Sequence, residues 1–176
     1  MLNFAPAHPM SMRPETSPGR LMLVPQAVQD GFQAATNAVQ GDQVTLTSPV
    51  SPIGSFTDPE YAQAGPSEAS ARESHDIVVA RVPFADASRP IIDGRTTGFC
   101  KLIVDRGTHQ MISCHVVGER AVELAQVAAV AIAANMTVEQ FARIPVSFPT
   151  YTNVLGRAVL DAARQLGIDD FWDHPQ

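Results

Sequence analysis

The sequence predicts an α+β fold, and the grouping of its elements supports this class. Strand-like segments are concentrated between residues 52 and 117, whereas helix-like segments occupy most of 119–167. Strands grouped ahead of a run of helices are typical of α+β proteins. The two clearest strands are joined by a short loop, which predicts an antiparallel hairpin. We therefore expect a mostly antiparallel sheet with helices packed on one side.

The composition is that of a globular protein and excludes several kinds of partner. The 176 residues are 45% hydrophobic and 17% charged, which allows one domain with a buried core and an additional segment. The formal charge of −6 and the scattered basic residues argue against binding to nucleic acid or to an anionic membrane. No apolar stretch is long enough to span a bilayer and no secretory signal is apparent. A cytoplasmic location is the expectation.

The first 50 residues contain one predicted helix. Residues 1–18 carry four prolines and no periodicity, which predicts a loose tail. From Val24 onward, apolar and small residues recur at intervals of three and four. This spacing predicts a helix that tolerates Pro25 in its first turn and ends at Gly41.

Short elements are predicted ahead of the hairpin. Residues 52–57 are a possible short strand, and Ser67 is suited to cap a helix that runs to Glu73. Residues 77–84 are strand-like, and Pro83 indicates an edge strand or the end of a strand. Asp93 and Gly94 mark a turn.

The hairpin is predicted from residues 99–104 and 111–117, which flank a loop that contains Gly107. Side chains alternate between the two faces of a strand, so one face is expected to be apolar and the other solvated. The predicted apolar face carries Cys100, Leu102, Val104, Ile112, Cys114 and Val116. The predicted solvated face carries Lys101, Ser113 and His115.

The cysteine and histidine residues are the candidates for a redox pair or a metal site. Cys100 and Cys114 do not form a CxxC pair, and they are interpreted either as two buried free thiols or as a redox pair across neighbouring strands. The histidines have no metal-ligand spacing, so no metal site is expected. They are His8, His75, His109, His115 and His174.

Three helices are predicted after the hairpin. Residues 119–134 are apolar on nearly every side, so this helix must be covered by its own domain or by a partner. Asn135 is suited to end it in a left-handed conformation. Thr137 and Gln140 form a capping box for a short helix to Ile144. A final amphipathic helix covers residues 154–166, ahead of Gly167.

Five segments occur in an order that is seen in a known protein family. They are residues 19–35, 56–71, 98–102, 112–134 and 147–150. Together they resemble the C-terminal end of the pyridine nucleotide-disulfide oxidoreductases, which include dihydrolipoamide dehydrogenase, glutathione reductase and mercuric reductase. The resemblance implies the dimerisation-domain fold of these flavoproteins over residues 48–167. It also implies that 19–47 is the remnant of the last helix of the FAD domain, leaving 1–18 and 168–176 as tails.

The resemblance implies a homodimer and a set of site residues. The start of the first helix would contact a flavin through Val24, Pro25, Gln26 and Ala27. The residues expected at a dimer interface are Glu123, Val127, Ala128, Ala131, Phe148, Pro149 and Thr150. The apolar helix at 119–134 would then be partly interface, although an ordinary core helix remains the alternative.

The departures from the family pattern concern its cofactors and its chemistry. The chain has no GxGxxG turn for a pyrophosphate, no closely spaced cysteine pair, and no Gly-Asp ahead of Gly19. Where many members have His-Pro-Thr-x-x-Glu, this sequence has Phe148 and Asn153 in the His and Glu positions. A phenyl ring cannot exchange a proton as an imidazole does. No catalytic residue is therefore assigned.

Two functional hypotheses follow from the resemblance. In the first, the chain is the C-terminal part of an enzyme that passes electrons from NAD(P)H through FAD to an acceptor. It would then work with a separate FAD- and NAD-binding chain or derive from a longer one. In the second, it is a self-standing dimerisation module. Under either hypothesis, the chain alone is expected to bind no cofactor and to be inactive.

Overall fold

The structure, a computed structural model, describes residues 23–41 and 50–168. The chain divides into two compact units, residues 1–48 and 49–176. In the first unit, helix α1 runs from Val24 to Gln40. It begins and ends where the sequence predicts, with Pro25 in its first turn and Gly41 at a positive φ of 83°. The predicted tail at 1–18 and most of that at 168–176 lie outside the described residues.

In the part of the second unit that the structure describes, five strands form one antiparallel sheet in the order β1-β2-β5-β4-β3. The strands are β1 (Ile53–Ser55), β2 (Tyr61–Ala64), β3 (Ile77–Pro83), β4 (Phe99–Asp105) and β5 (Met111–Val117). The antiparallel sheet and the β4–β5 hairpin confirm the prediction. Pro83 ends the edge strand β3, where the lack of an N–H group is tolerated.

Five helices accompany the sheet in the described residues of this unit. They are α2 (Glu68–Ser74), α3 (Ser88–Asp93), α4 (Ala121–Ala133), α5 (Val138–Ala142) and α6 (Thr152–Gln165). The predicted caps are confirmed, since Ser67 accepts a hydrogen bond from the Ser70 N–H and Thr137 forms a capping box with Gln140. Helix α3 and strand β2 were not predicted from the sequence.

The main core lies between the sheet and the two long helices, α4 and α6. The side chains of Leu102 and Val116 are fully buried there against Leu124, Leu155 and Val159. This arrangement places the long helices on one side of the sheet, as predicted. The short helix α2 covers part of the opposite side, where Ala71 packs with Ile77 and Ile103. The second face of the sheet, which the sequence predicts to be solvated, is therefore partly covered by α2.

The predicted register of the hairpin is wrong at one end. The pairing between β4 and β5 shifts between Ile103 and Val104, so that Val104 lies opposite Met111. Such an irregularity changes which residues face each side of a sheet. Met111 consequently belongs to the main core, whereas Ile112 packs beneath α2 on the other face.

Candidate interface and cofactor sites

Helix α4 has one buried side that is apolar and one exposed side that carries Glu123 and Gln126 beside apolar residues. Ala128 and Ala131 are buried in the core of the chain itself, with exposed fractions of 0% and 2%. The opposite side presents Val127 and Val130, and Val130 is 61% exposed. Ala128 therefore belongs to the core of the single chain, whereas Ala131 also lines the groove described next. The role of both residues at a dimer interface stays a prediction. The signal for this orientation in the sequence is weak, because only Glu123 and Gln126 mark the exposed side and every other position of the helix is apolar.

The exposed side of α4 borders a groove of about 510 Å³. Its other wall is the connection between α5 and α6, and most of its lining is apolar. The main lining residues are Val127, Val130, Met136, Ile144, Val146 and Thr150. The groove brings the predicted residues Val127 and Thr150 together on one surface. Val127, Val130 and Ile144 line the groove, and Phe148 directly follows the lining residue Ser147 in the chain. We refer to these four residues and the groove as the groove surface.

The connection at residues 147–151 presents a large aromatic side chain to solvent. Phe148 is 70% exposed and precedes a cis peptide bond to Pro149. Thr150 donates a hydrogen bond from its hydroxyl to the Ser147 carbonyl oxygen at 2.7 Å. Asn153, the other residue of the family motif, donates its backbone N–H to the Thr150 carbonyl oxygen at 3.3 Å. Neither the phenyl ring nor the amide can act as a general acid or base near neutral pH.

A hydrogen bond fixes this connection to helix α3. The hydroxyl of Tyr151 donates to a carboxylate oxygen of Asp93 at 2.9 Å. Partial burial and this hydrogen bond raise the pKa of Tyr151 to about 12. Asp93 also accepts a hydrogen bond from Arg89 at 2.8 Å, and these two donors lower the pKa of its carboxyl. The loop that carries Phe148 is therefore held by an ionised carboxylate.

The two cysteines are close together but inaccessible. Cys100 and Cys114 are free and fully buried, and their sulfur atoms lie 3.7 Å apart. The hydrogen bond to Cys114 and burial raise the pKa of the Cys100 thiol. Thiolates rather than thiols are the reactive species, so the structure favours the interpretation as buried thiols over that as a reactive redox pair.

The prediction that His115 and Ser113 face solvent is wrong. His115 is 8% exposed and Ser113 is fully buried. The Ser113 hydroxyl donates to the Pro66 carbonyl oxygen at 2.6 Å, and His115 Nε2 lies 3.1 Å from the same oxygen. The segment that leads into α2 covers both side chains, and burial lowers the pKa of His115. Lys101, the third residue of that face, is half-buried, and its Nζ lies 3.2 Å from a carboxylate oxygen of Glu68.

The residues with an implied flavin role lie in the first turn of α1. Gln26 is buried, whereas Val24, Pro25 and Ala27 are exposed. A cofactor site normally encloses most of the ligand surface, and in the described residues the implied contact rests on this single turn. The contact of this turn with a flavin stays a prediction.

The described residues provide no cluster of metal ligands and no membrane-spanning helix. Within 23–41 and 50–168, no group of three His, Cys, Asp or Glu side chains could hold a metal ion. His8 and His174 lie outside these ranges. The described helices include none with the length and apolar character needed to cross a membrane.

Comparison with protein families identifies the second unit. The family described as pyridine nucleotide-disulphide oxidoreductase, dimerisation domain, matches residues 51–159. The chain belongs to this family. The match covers the sheet, α4 and the connection that carries Phe148, so the groove surface lies within the family domain. The dimerisation domain predicted for residues 48–167 therefore contains the whole match.

Similar proteins come from two enzyme groups of this oxidoreductase family. The chain is 33% identical to a dihydrolipoyl dehydrogenase of Haloferax volcanii over 81% of its own length and 29% of that protein. It is 36% identical to a mercuric reductase of Shigella flexneri over 74% of its length and 23% of that protein. The dimerisation domain thus spans less than a third of either relative.

Solved structures show the same fold. LpdA from Mycobacterium tuberculosis superposes with a TM-score of 0.73 at 26% identity, covering 84% of this chain and 32% of that one. The flavoprotein disulfide reductase RclA from Escherichia coli superposes with a TM-score of 0.68 at 22% identity, covering 74% and 31%. The predicted fold, an α+β dimerisation domain of the flavoprotein disulfide reductases, is confirmed.

Proposed function

We propose that this chain is the homodimerisation part of a flavin-dependent oxidoreductase and that the groove surface is where two copies meet. The observation that carries the proposal is a groove with a mostly apolar lining, which includes the exposed residues Val127, Val130 and Ile144. Val130 is 61% exposed, and Phe148 is 70% exposed beside the groove. A contiguous exposed apolar patch with a polar border is typical of a protein–protein interface.

A second copy of the chain is the partner that best suits this surface. A twofold axis lets the same patch serve both subunits, which is the commonest arrangement in homo-oligomers. Phe148 is a large side chain that a partner could bury completely, as aromatic anchors are in many interfaces. Glu123, Pro149 and Thr150 would lie at the border of this surface. A stable dimer of this class buries about 2,000 Å² or more.

The experiment that tests the proposal is light scattering coupled to size exclusion. The expected mass is that of two chains of 18.9 kDa each. The dimer should persist on dilution into the low micromolar range. A mass of one chain across that range would contradict the proposal. The groove surface would then be an exposed apolar surface without a partner in the purified protein.

The wider function we infer is that of the parent enzyme class, in which electrons pass from NAD(P)H through FAD to an acceptor. The observation that favours packing against a flavin domain, on a separate chain or in a longer protein, is the exposed surface of α1. Val24, Val28 and Phe32 follow each other at intervals of four and are all exposed. Such a stripe is the side of a helix that normally packs against another element.

The chain alone is expected to bind no flavin. Contact through Val24, Pro25, Gln26 and Ala27 would need further enclosure from a flavin domain. The purified protein should therefore be colourless, and stoichiometric flavin absorbance that survives gel filtration would contradict this. An adjacent reading frame that encodes GxGxxG and paired cysteines would favour a two-chain enzyme, and its absence would favour a self-standing dimerisation module.

We propose that a complete enzyme with these residues either takes the proton from another group or reduces an acceptor other than a disulfide. Phe148 and Asn153 supply neither the imidazole nor the carboxylate that assists proton exchange with thiols. The purified chain should show no NAD(P)H-driven turnover, and Phe148→His with Asn153→Glu should not restore it. Turnover above a heat-inactivated sample would contradict this. We place the protein in the cytoplasm, where reducing conditions keep thiols such as Cys100 free.

A further inference from the structure

Phe148 lies in the connection between α5 and α6, which is anchored to the domain on both sides of this residue. Val146, two residues before it, and Tyr151, three residues after it, pack against the main core. Phe148 itself is 70% exposed. Between these anchors, the Thr150 hydroxyl donates to the Ser147 carbonyl oxygen. The position of the exposed phenyl ring therefore depends on how firmly its neighbours in the chain are held.

Tyr151 provides the polar anchor of this connection. Its hydroxyl donates to a carboxylate oxygen of Asp93 at 2.9 Å, and the centre of its ring lies 6.1 Å from that of the buried Phe84 ring. In the described part of the chain, this is the one hydrogen bond that joins residues 145–151 to an element other than α6. Without the hydroxyl, only apolar contacts would join the connection to the rest of the domain.

The acceptor of this hydrogen bond is itself held in place. Asp93 is the last residue of α3, a helix that ends at Gly94 in the left-handed conformation and buries Pro90. Arg89 Nε donates to the same carboxylate oxygen of Asp93 at 2.8 Å. A hydrogen bond to an ionised acceptor is stronger than one between neutral groups. The Tyr151 hydroxyl therefore bonds to a carboxylate that a second donor orients.

We propose that Tyr151 is a positioning residue for the dimer and that, through Asp93, it holds Phe148 in the conformation that a second copy of the chain binds. This inference rests on the proposed function of the groove surface. Ordering a flexible loop when an interface forms costs free energy, and a loop that is already ordered in the free chain avoids that cost. A twofold dimer contains the contact twice, so its loss affects both subunits.

A purely structural role for the contact between Tyr151 and Asp93 predicts a different result. In that case, loss of the hydroxyl would lower the free energy of unfolding of the single chain, since the hydrogen bond stabilises the folded state. The equilibrium between folded monomers and the dimer would not change, because Phe148 would keep its conformation. The dissociation constant of the dimer and the order of the backbone at Phe148 therefore distinguish positioning from stability.

The first test is Tyr151→Phe, which removes the hydroxyl and keeps the ring beside Phe84. The dissociation constant of the dimer, measured by sedimentation velocity over a concentration series, should rise about tenfold, which corresponds to about 1.4 kcal/mol. Tyr61→Phe is the matched control, because Tyr61 is the other tyrosine of the chain and its hydroxyl donates to Gln63 on β2. This control should leave the dissociation constant unchanged. Asp93→Ala should act like Tyr151→Phe, whereas Asp93→Asn keeps an acceptor and should weaken the dimer less.

The second test follows Phe148 in the single chain, with Val130→Glu present to prevent dimer formation. The NMR order parameter of the Phe148 backbone N–H should fall from about 0.85 toward about 0.6 when Tyr151→Phe is added, and it should not fall with Tyr61→Phe. If the native chain is a monomer, the proposed function fails and this inference fails with it. If the native chain is a dimer, an unchanged dissociation constant or an unchanged order parameter in Tyr151→Phe overturns this inference alone.

Discussion

The sulfur atoms of Cys100 and Cys114 lie 3.7 Å apart across the β4–β5 hairpin, and both side chains are fully buried in the main core. A thiolate in this position would lose its hydration without gaining a positive partner. The raised pKa of the Cys100 thiol follows from its hydrogen bond to Cys114 and from burial. The pair therefore behaves as part of the core.

Chemical modification of these thiols should require unfolding. At pH 8 the native chain should react with iodoacetamide at neither cysteine, because both side chains are fully buried, whereas both should react in concentrated urea. Mass spectrometry counts the added groups. A native chain alkylated as fast as a short cysteine peptide would contradict this.

The Cys100 thiol should also make the free energy of unfolding depend on pH in the alkaline range. The folded pKa of Cys100 lies above its ordinary value of 9.0, so the unfolded chain releases this proton first as the pH rises. The contribution to stability is complete below about pH 9 and is lost above it. Urea midpoints should fall more steeply between pH 9 and 10 in the native sequence than in Cys100→Ala. If the urea midpoints of the two proteins fell equally between pH 9 and 10, the Cys100 thiol would not cause the loss of stability.

Gly98→Ala should be strongly destabilising. Gly98 has a φ of 124°, and an added Cβ would lie 1.9 Å from the carbonyl oxygen of Val117. That oxygen belongs to the backbone of a central strand and cannot move aside. The expected loss is roughly 3 kcal/mol or more in the free energy of unfolding. Gly107→Ala is the matched control, since its Cβ would meet an ordinary contact at 3.4 Å; equal losses would refute the steric explanation.

His115 should make the protein less stable in weak acid. Burial lowers its folded pKa below the ordinary value of 6.5, so the unfolded chain takes up a proton first as the pH falls. Its contribution is present above pH 6.5 and is lost below that value. His115→Gln keeps a donor for the Pro66 carbonyl oxygen and cannot titrate. Urea midpoints should fall less between pH 7.5 and 5.5 in this variant, and an equal fall would show that other groups cause the effect.

The sequence predicts the elements that local chemistry specifies. The caps at Ser67 and Thr137, the helix end at Asn135 and the strands of the hairpin depend on neighbouring residues, and each is where the pattern places it. The family could also be inferred, because its motifs are short segments in a fixed order. Pro83 indicated an edge strand or the end of a strand, and in the structure it is the last residue of the edge strand β3.

Features that depend on distant contacts were not predictable in the same way. His115 alternates with core residues and looks solvated in the sequence, but the segment before α2 covers it from 49 positions away. Strand β2 has only four residues and is defined by its pairing with β5. In α4 only Glu123 and Gln126 mark the exposed side, so the sequence does not show which of its many small apolar residues, such as Ala128, are buried in the core of the single chain.

The last prediction concerns the two sides of α4. Val130→Glu places a charge on the groove surface, where the folded monomer leaves the side chain in water. It should therefore leave the domain folded and convert a dimer to a monomer. Ala128→Glu places the same charge in the core, where Ala128 is completely buried. An unpaired buried charge costs roughly 3 kcal/mol or more, so this variant should unfold or aggregate.

The control is Ile92→Glu, which alters an equally exposed apolar residue on α3, at 65% exposure, that does not line the groove. It should remain a folded dimer. Light scattering gives the mass, and far-UV circular dichroism with urea unfolding reports the fold at several concentrations. The dimer should also become more stable as its concentration rises, because association is linked to folding. If Val130→Glu stays dimeric while Ile92→Glu becomes monomeric, the interface lies on α3 and the groove surface is not its site.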